Sequence, residues 1–157
     1  MSTLETNLIQ PSTGTTLTVG ASGDTVTVPS GVTATGFNNP AFEAYLGGSG
    51  GQSVSDNTVT LVTIDTEVYD SDSAFDTSTY RFTPQVAGKY LVYGSVQNES
   101  GSGSNLNASY LYFKLNGSNI LESSNDYYNN QIRADIITGD MVVDMNGSSD
   151  YVELYGR

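Results

Sequence analysis

The chain has 157 residues and a formal net charge of -12, with 5 Lys and Arg against 17 Asp and Glu. This length suits one domain with a short extension, and so few cations exclude a protein that mainly binds nucleic acid phosphates. The absence of Cys and His excludes disulfides, thiolate nucleophiles, Cys/His zinc sites and imidazole acid-base catalysis.

The remaining composition favours strands over helices. Charged residues make up 14 % of the chain, against about 25 % in an average domain, while Ser, Thr, Asn and Gly are abundant and Tyr occurs 11 times. Such a composition is typical of a β-rich protein. No apolar run approaches the roughly 18 residues of a membrane span, and the first residues do not resemble a signal peptide. We therefore expect a soluble chain without membrane insertion.

Residues 1–39 are predicted to form an N-terminal arm. The segment has no aromatic residue before Phe37, and it contains two short stretches in which apolar residues alternate with Thr. Gly20 and Gly23 indicate a turn between these stretches. So few apolar groups cannot offset the entropy of ordering the chain, so we expect short strands that become ordered on docking; the alternative is a flexible tail. The expected docking residues are Leu17, Val19, Val26 and Val28.

Residues 40–157 are predicted to form an all-β sandwich. Aromatic and β-branched residues recur here in short runs separated by Gly, Asn, Asp and Ser, as in sandwich domains. Asn116-Gly117 and Asn146-Gly147 supply the positive φ angles of tight hairpin turns. The predicted strands are Ala41 to Leu46, Thr58 to Tyr69, Tyr80 to Thr83, Lys89 to Val96, Asn107 to Leu115, Gln131 to Ile137, Met141 to Met145 and Tyr151 to Tyr155. The predicted loops are Gly47 to Asp56, Asn98 to Asn105 and Glu122 to Asn130.

Two of these strands carry apolar or tyrosine residues on both faces. In Lys89 to Val96, Leu91 and Tyr93 lie opposite Tyr90 and Val92; Asn107 to Leu115 shows the same pattern. A sandwich in water should keep one face of each sheet polar, so a second apolar face indicates cover by another chain. The alternative is an outer face decorated with Tyr, whose hydroxyl tolerates water. The expected interface residues of the oligomer are Tyr90, Val92, Tyr110 and Tyr112.

Several short motifs resemble those of a known family. The matching residues are Phe42, Ile64 to Asp70, Tyr80 to Pro84 and Ala87 to Tyr90. They are similar to motifs of the complement-type globular head, a trimeric jelly roll shared with tumour necrosis factor. The resemblance covers residues 40–157 and implies a homotrimeric jelly-roll sandwich. The amino-acid sequences of the arm and of Asp65 to Asp72 are most similar to those of virion proteins of tailed bacteriophages.

The family has a further strand after the one matched by Asp150 to Tyr155, and that strand lies inside the inner sheet. The resemblance therefore implies an open position in this sheet of the present chain. Buried unpaired backbone groups are costly in a row. We hypothesise that an arm strand, Thr15 to Val19 or Thr25 to Val28, fills the position in its own protomer or in a neighbour. The alternative is a sheet that closes without a substitute.

Few residues of this chain could bind a metal ion or catalyse a reaction. Asp70, Asp72 and Asp76 could bring oxygen ligands together around Ca²⁺, although the spacing lacks the Gly and distal Glu of a calcium loop; the alternative is a solvated acidic loop. Apart from calcium, we expect no cofactor. Serine catalysis would need Lys89 or Lys114 as its base, and both lie in predicted strands. We therefore predict a protein that is not an enzyme.

The leading interpretation is a virion structural protein of a tailed phage, a trimeric capsid decoration or fibre-type protein anchored by its arm to other virion proteins. A first alternative is a receptor-binding module that recognises a host glycan or surface protein. Its outward contacts would be Tyr127 and Tyr128 in a loop suited to adaptable binding, unless these are ordinary packing residues. A second alternative is the subunit of a self-polymerising surface filament.

Overall fold

The computed structural model describes residues 9–14, 17–25, 27, 30–31, 40–48, 50–103 and 105–157. The chain divides into two units, Met1–Phe37 and Asn38–Arg157. The described residues include no helix, and about 47 % of them lie in antiparallel β-structure. The all-β prediction is confirmed, and the arrangement is consistent with a β-sandwich.

The first unit contains a defined turn. The backbone N–H of Asp24 donates to the carbonyl of Ala21 at 3.0 Å, and the Asp24 carboxylate accepts from the N–H of Ala21 at 2.6 Å. Gly20 and Gly23 have φ values of 83° and 96°, which favour glycine. The turn expected between the two arm stretches is therefore present, but the described part of this unit contains no strand. Two of the predicted docking residues, Val26 and Val28, lie outside the described residues.

The second unit contains the strands. Ten are present in its described residues: β1 Phe42–Tyr45, β2 Thr60–Leu61, β3 Thr66–Asp70, β4 Phe75–Asp76, β5 Arg81–Phe82, β6 Gly88–Glu99, β7 Ala108–Leu115, β8 Ser118–Asp126, β9 Ala134–Met145 and β10 Val152–Gly156. They form a β1–β3 pair, a β6–β9 pair and a large sheet ordered β4-β5-β10-β7-β8, in which β2 also pairs with β10.

The predicted strands differ from the observed ones in several places, and β4 has no predicted counterpart. The predicted strand Thr58 to Tyr69 is divided into β2 and β3. The predicted strands Gln131 to Ile137 and Met141 to Met145 are joined in one continuous strand, β9, which begins at Ala134. The strand β8 was not predicted, and its second half falls in the predicted loop Glu122 to Asn130, because its Ser, Asn and Glu residues lack apolar alternation. As the last strand in the order of its sheet, β8 needs no apolar residues on its exposed side.

The two Asn-Gly turns have different roles. Asn116 and Gly117 have φ values of 52° and 80° and close the β7–β8 hairpin, as predicted. Asn146-Gly147 does not close a hairpin, and that prediction is wrong, because β9 and β10 belong to different sheets. Instead, the Asn146 side-chain oxygen accepts from the backbone N–H groups of Ser148, Ser149 and Asp150. These bonds stabilise the turn through which the chain passes from one sheet to the other.

The core lies between the β6–β9 pair and the large sheet. Gly94 of β6 pairs with Gly139 of β9. A Cβ at Gly94 would lie 2.9 Å from Cζ of Phe113, and one at Gly139 would lie 2.6 Å from Cδ2 of Leu121. Only glycine allows the sheets to approach so closely here. This cross-strand glycine pair was not recognised from the sequence.

An aromatic cluster fills one region of the core. The ring of Phe42 stacks on Phe75 at 4.6 Å and on Phe82 at 4.8 Å, and Phe82 meets the edge of Tyr90 at 5.5 Å. The Tyr90 hydroxyl donates to the carbonyl of Val86 at 2.6 Å. This bond satisfies the polar end of a side chain whose burial raises its pKa.

Candidate interaction surfaces

The residues predicted to form the oligomer interface lie largely within the packing of the protomer itself. Tyr90 is 8 % exposed and belongs to the core, and Val92 packs against it. Tyr112 is buried, and Tyr110 is half-buried and stacks on it with ring centroids 6.0 Å apart. Tyr90 and Tyr112 are therefore buried within the protomer and Val92 and Tyr110 are half-buried, and their place in an oligomer interface stays a prediction. The predicted alternation is present, but the face of β6 that turns inward is the one expected to meet another chain.

The opposite face of the β6–β9 pair is exposed and partly apolar. The side chains of Leu91, Tyr93, Ile136 and Val142 on this face are 71 %, 67 %, 63 % and 59 % exposed. Leu91 lies directly opposite Val142 in the strand register, so their side chains are cross-strand neighbours. We call these four residues the outer stripe. Large apolar side chains exposed together on regular strands typically mark an interaction surface.

Polar residues flank and interrupt the outer stripe. Lys89 and Asp144 form an ion pair at 2.7 Å at one end of the strands, with both side chains more than two-thirds exposed. Such a surface pair contributes about 0–1 kcal/mol to stability. Asp140 lies opposite Tyr93, and Ser95 lies opposite Thr138. These polar residues separate Ile136 from the other three, so the apolar centre of this face consists of Leu91, Tyr93 and Val142.

The outer face of the large sheet is organised differently, with cations stacked on tyrosine rings. Arg81 lies over Tyr151 at 4.0 Å, Lys114 over Tyr155 at 4.1 Å and Arg157 over Tyr110 at 4.5 Å. These long side chains cover the rings and leave a face that is already packed. This face was where Tyr110 and Tyr112 were expected to meet another chain.

A buried ion pair lies on the same face. Arg81 Nε donates to Glu153 Oε1 at 2.9 Å, and the Glu153 side chain is 3 % exposed. The Tyr155 hydroxyl donates to the other carboxylate oxygen at 3.3 Å. The bond to Glu153 raises the pKa of the Arg81 guanidinium, and burial raises the pKa of Tyr155. A carboxylate held by two donors in this way has a structural role.

The structure does not bring the three predicted calcium ligands together. Asp70 accepts from the backbone N–H of Phe75 at 2.7 Å, and Asp76 accepts from the N–H of Ser78 at 2.8 Å. Each carboxylate thus stabilises its own turn. No group of three or more acidic residues in the described ranges is arranged to hold a metal ion.

The two predicted outward contacts have different environments. Tyr128 is 75 % exposed and lines a depression of about 350 Å³ with neighbours from Asp126 to Ile132. Tyr127 is half-buried, and its hydrogen bond with Asp135 raises the pKa of its hydroxyl. Burial raises the pKa of Asp135, but hydrogen bonds led by that from Asn125 outweigh it and leave the pKa lowered. Tyr128 is therefore the residue available for an outside contact.

A larger cleft runs beside one edge of β6. It has a volume of about 1320 Å³, and its lining includes Ser95–Glu99 of β6 and residues 50–57, 100–102 and 105–108. Gln52 holds the 50–57 segment in place, because its amide donates to the carbonyl of Leu61 at 2.8 Å and accepts from the N–H of Thr63 at 3.0 Å. Arg157 lies among the remaining lining residues. We call this feature the β6 cleft; it was not anticipated as a binding surface.

Comparison with known proteins adds no assignment. No family model matches this chain, and no curated protein matches it. No helix in the described ranges is long and apolar enough to cross a membrane.

Proposed function

We propose that this protein is a non-enzymatic, self-associating structural protein of a tailed-phage virion, a homotrimeric jelly-roll decoration or fibre-type protein. The observation that supports self-association is the outer stripe on the β6–β9 pair. Leu91 and Val142 are neighbours on this face and are 71 % and 59 % exposed. A lone sandwich would carry polar residues there.

The support for a virion role is the resemblance of the arm and head motifs to phage virion proteins. A decoration protein stabilises a particle by binding only the assembled lattice. The compact β-rich unit and the unused apolar stripe on its surface are both suited to such binding. The protein then acts through contacts, and its function needs no reacting side chain.

A charge placed in the outer stripe tests self-association. We expect the wild type to sediment as a trimer at micromolar concentration and Leu91→Asp to sediment mainly as a monomer. Loss of a buried leucine removes about 2 kcal/mol, and the new carboxylate must be desolvated as well. We therefore expect association to weaken at least about a hundredfold.

The matched control is Val86→Asp, which changes an exposed valine outside the outer stripe. It should sediment like the wild type. A monomeric wild type, or a Leu91→Asp variant that still forms the full trimer, would refute the proposed assembly. Circular dichroism on each variant checks that the strands remain folded.

The virion role has its own test. Phage particles that lack this protein should lose infectivity faster than complete particles on heating or osmotic shock, and added purified protein should restore their resistance. Equal resistance with and without the protein would contradict a decoration role and leave self-association untouched.

Receptor binding is a second candidate, favoured by the exposure of Tyr128 beside the depression lined by Asp126 to Ile132. Aromatic and amide side chains suit adaptable surface recognition. If this candidate is correct, purified protein binds host cells and Tyr128→Ala abolishes binding. Tyr127→Ala should have the smaller effect, since its hydroxyl is engaged with Asp135.

A further inference from the structure

The edges of β6 differ in their pairing. This strand pairs with β9 along its entire length, from Gly88 opposite Met145 to Glu99 opposite Ala134. Within the described part of the chain, no strand pairs with its other edge. In an antiparallel strand, alternate residues direct their N–H and C=O groups to opposite sides. The second edge of β6 therefore presents a row of backbone groups, and such a row is a template for another strand.

The β6 cleft lies along this edge. Its volume of about 1320 Å³ exceeds the roughly 300–1,000 Å³ of pockets that hold small molecules. The part of β6 that lines the cleft, Ser95–Glu99, spans five residues, or about 17 Å of extended strand. Gln52 and Val54 are among the other lining residues. The size of the cleft and the backbone groups at the edge of β6 suit an extended peptide.

The cleft also indicates the charge and polarity of its occupant. Its charged lining residues are Asp56, Glu99 and Arg157, and its apolar residues include Val54, Val62 and Val96. The chain as a whole carries a charge of -12, so an acidic segment would be repelled. A suitable strand is uncharged and directs one set of apolar side chains inward.

The chain contains such a segment. Asp24 is the single charged residue between Glu5 and Glu43. Leu17 and Val19 are 46 % and 64 % exposed, and in an extended chain residues two apart project on the same side. Thr18 would project on the other side, toward water. Leu17 and Val19 therefore form the apolar side of this segment.

We propose that the β6 cleft binds the Leu17–Val19 segment of a second copy of this chain as an added β-strand. The proposal rests on the proposed self-association and deepens it, because it names a contact that links one copy to the next. Backbone hydrogen bonds to the β6 edge would supply affinity, and Leu17 and Val19 would select the register.

Hydrogen–deuterium exchange on the full-length protein tests the contact. We compare the wild type, the double variant Leu17→Asp/Val19→Asp and the control Ile9→Asp, which changes an exposed residue of the same unit. Amides of Ser95–Glu99 should exchange at least tenfold faster in the double variant than in the wild type and the control. This protection should decrease on dilution, because the segment comes from another molecule.

A peptide rescue separates strand pairing from simple apolar contact. A synthetic peptide of residues 12–23 should restore protection of Ser95–Glu99 in the double variant. The same peptide with N-methyl groups on Leu17, Thr18 and Val19 should not, because it lacks the N–H donors that a strand needs. Equal rescue by both peptides, or failure of both, overturns the proposal.

The outcomes distinguish this inference from the proposed assembly. A trimer whose Ser95–Glu99 amides exchange equally in the wild type and the double variant refutes the strand contact alone. Protection that is independent of concentration assigns the segment to its own protomer and overturns the second-copy contact. A monomeric wild type refutes both.

Discussion

At the scale of single residues, the acidic side chains of this protein act as local structural groups. The Asp76 carboxylate accepts from the Ser78 hydroxyl at 2.7 Å, the Ser78 N–H at 2.8 Å and the Thr79 hydroxyl at 2.9 Å. These bonds lower its pKa from 3.8 to about 2. Asp65 shows the same behaviour, because the N–H of Gly47 donates to it at 2.7 Å and lowers its pKa. Asp76, which is predicted from the sequence as a calcium ligand, therefore stabilises a turn in the structure.

The Asp76 turn predicts a dependence of stability on pH. Its folded-state pKa lies below the unfolded value, so its stabilising effect is fully present above pH 3.8 and is lost as the pH falls through about 2. Asp76→Asn should therefore have a lower melting temperature than the wild type at pH 6. This difference should shrink toward pH 2. A difference in melting temperature that stays constant from pH 6 to pH 2 would contradict the assignment.

The buried Glu153 makes its partner Arg81 more important than an ordinary surface cation. Arg81→Ala leaves a carboxylate that is 3 % exposed without its cation. Loss of one member of a fully buried pair costs about 3–5 kcal/mol, but the Arg81 side chain is 40 % exposed, so we expect about 1–3 kcal/mol. Urea unfolding measures this change in the free energy of unfolding.

Lys89→Ala is the matched control for Arg81→Ala. It breaks an ion pair whose two side chains are 70 % and 73 % exposed, so it should change the free energy of unfolding by less than about 1 kcal/mol. Equal effects of the two substitutions would show that the burial of Glu153 does not determine the strength of the pair. Both proteins should be compared at one concentration, because self-association stabilises the fold.

At the scale of elements, the close packing of the β6–β9 pair on the large sheet depends on Gly94 and Gly139. These residues are paired across β6 and β9, and both face the core. The side chain of Phe113 occupies the space that a Cβ at Gly94 would need, and those of Leu121 and Leu111 occupy the space at Gly139. The close approach lets the apolar sides of β6 and β9 reach the core, while the outer stripe remains exposed.

Substitution of the glycines at this contact between the sheets should destabilise the fold. A Cβ at Gly139 would lie 2.6 Å from Leu121 and 2.9 Å from Leu111, so Gly139→Ala forces these side chains to shift. Such overpacking costs about 1–3 kcal/mol. The control Gly101→Ala adds its Cβ where no atom lies within 4 Å and should be nearly neutral. Thermal unfolding that ranks the two variants equally would contradict the role of Gly139.

At the scale of the whole molecule, strong net charge and exposed apolar surface act in opposite directions. The charge of -12 keeps copies apart, and repulsion between like charges falls as salt screens it. The outer stripe favours association through apolar burial, which salt does not weaken in this way. Assembly of this protein thus depends on the balance of the two effects.

This balance predicts that salt strengthens self-association. Between about 0.02 M and about 0.5 M NaCl, where the Debye length falls several-fold, the dissociation constant of the oligomer should decrease. Sedimentation equilibrium at several protein concentrations measures it. Weaker association at high salt would instead indicate an interface held by ion pairs between copies.

Much of this architecture follows from local patterns along the chain. The alternation in Lys89 to Val96 predicts a strand with two chemically similar faces, and Asn116-Gly117 predicts a hairpin, because both depend on neighbouring residues. β8 was missed since its polar sequence carries no such alternation. The hairpin predicted at Asn146-Gly147 is wrong because an Asn-Gly pair does not specify whether the next strand returns to the same sheet, and here only Gly147 of the pair has positive φ.

The sequence alone does not show which face of β6 is buried. Tyr90 and Leu91 are both large and apolar enough to be buried, and nothing local selects between them. The choice is made by contacts between distant residues, chiefly the approach of Gly94 to Phe113 and Leu154. That packing turns Tyr90 into the core and leaves Leu91 exposed. The all-β character is thus set by local periodicity, whereas the interaction surfaces arise only when the two sheets pack together.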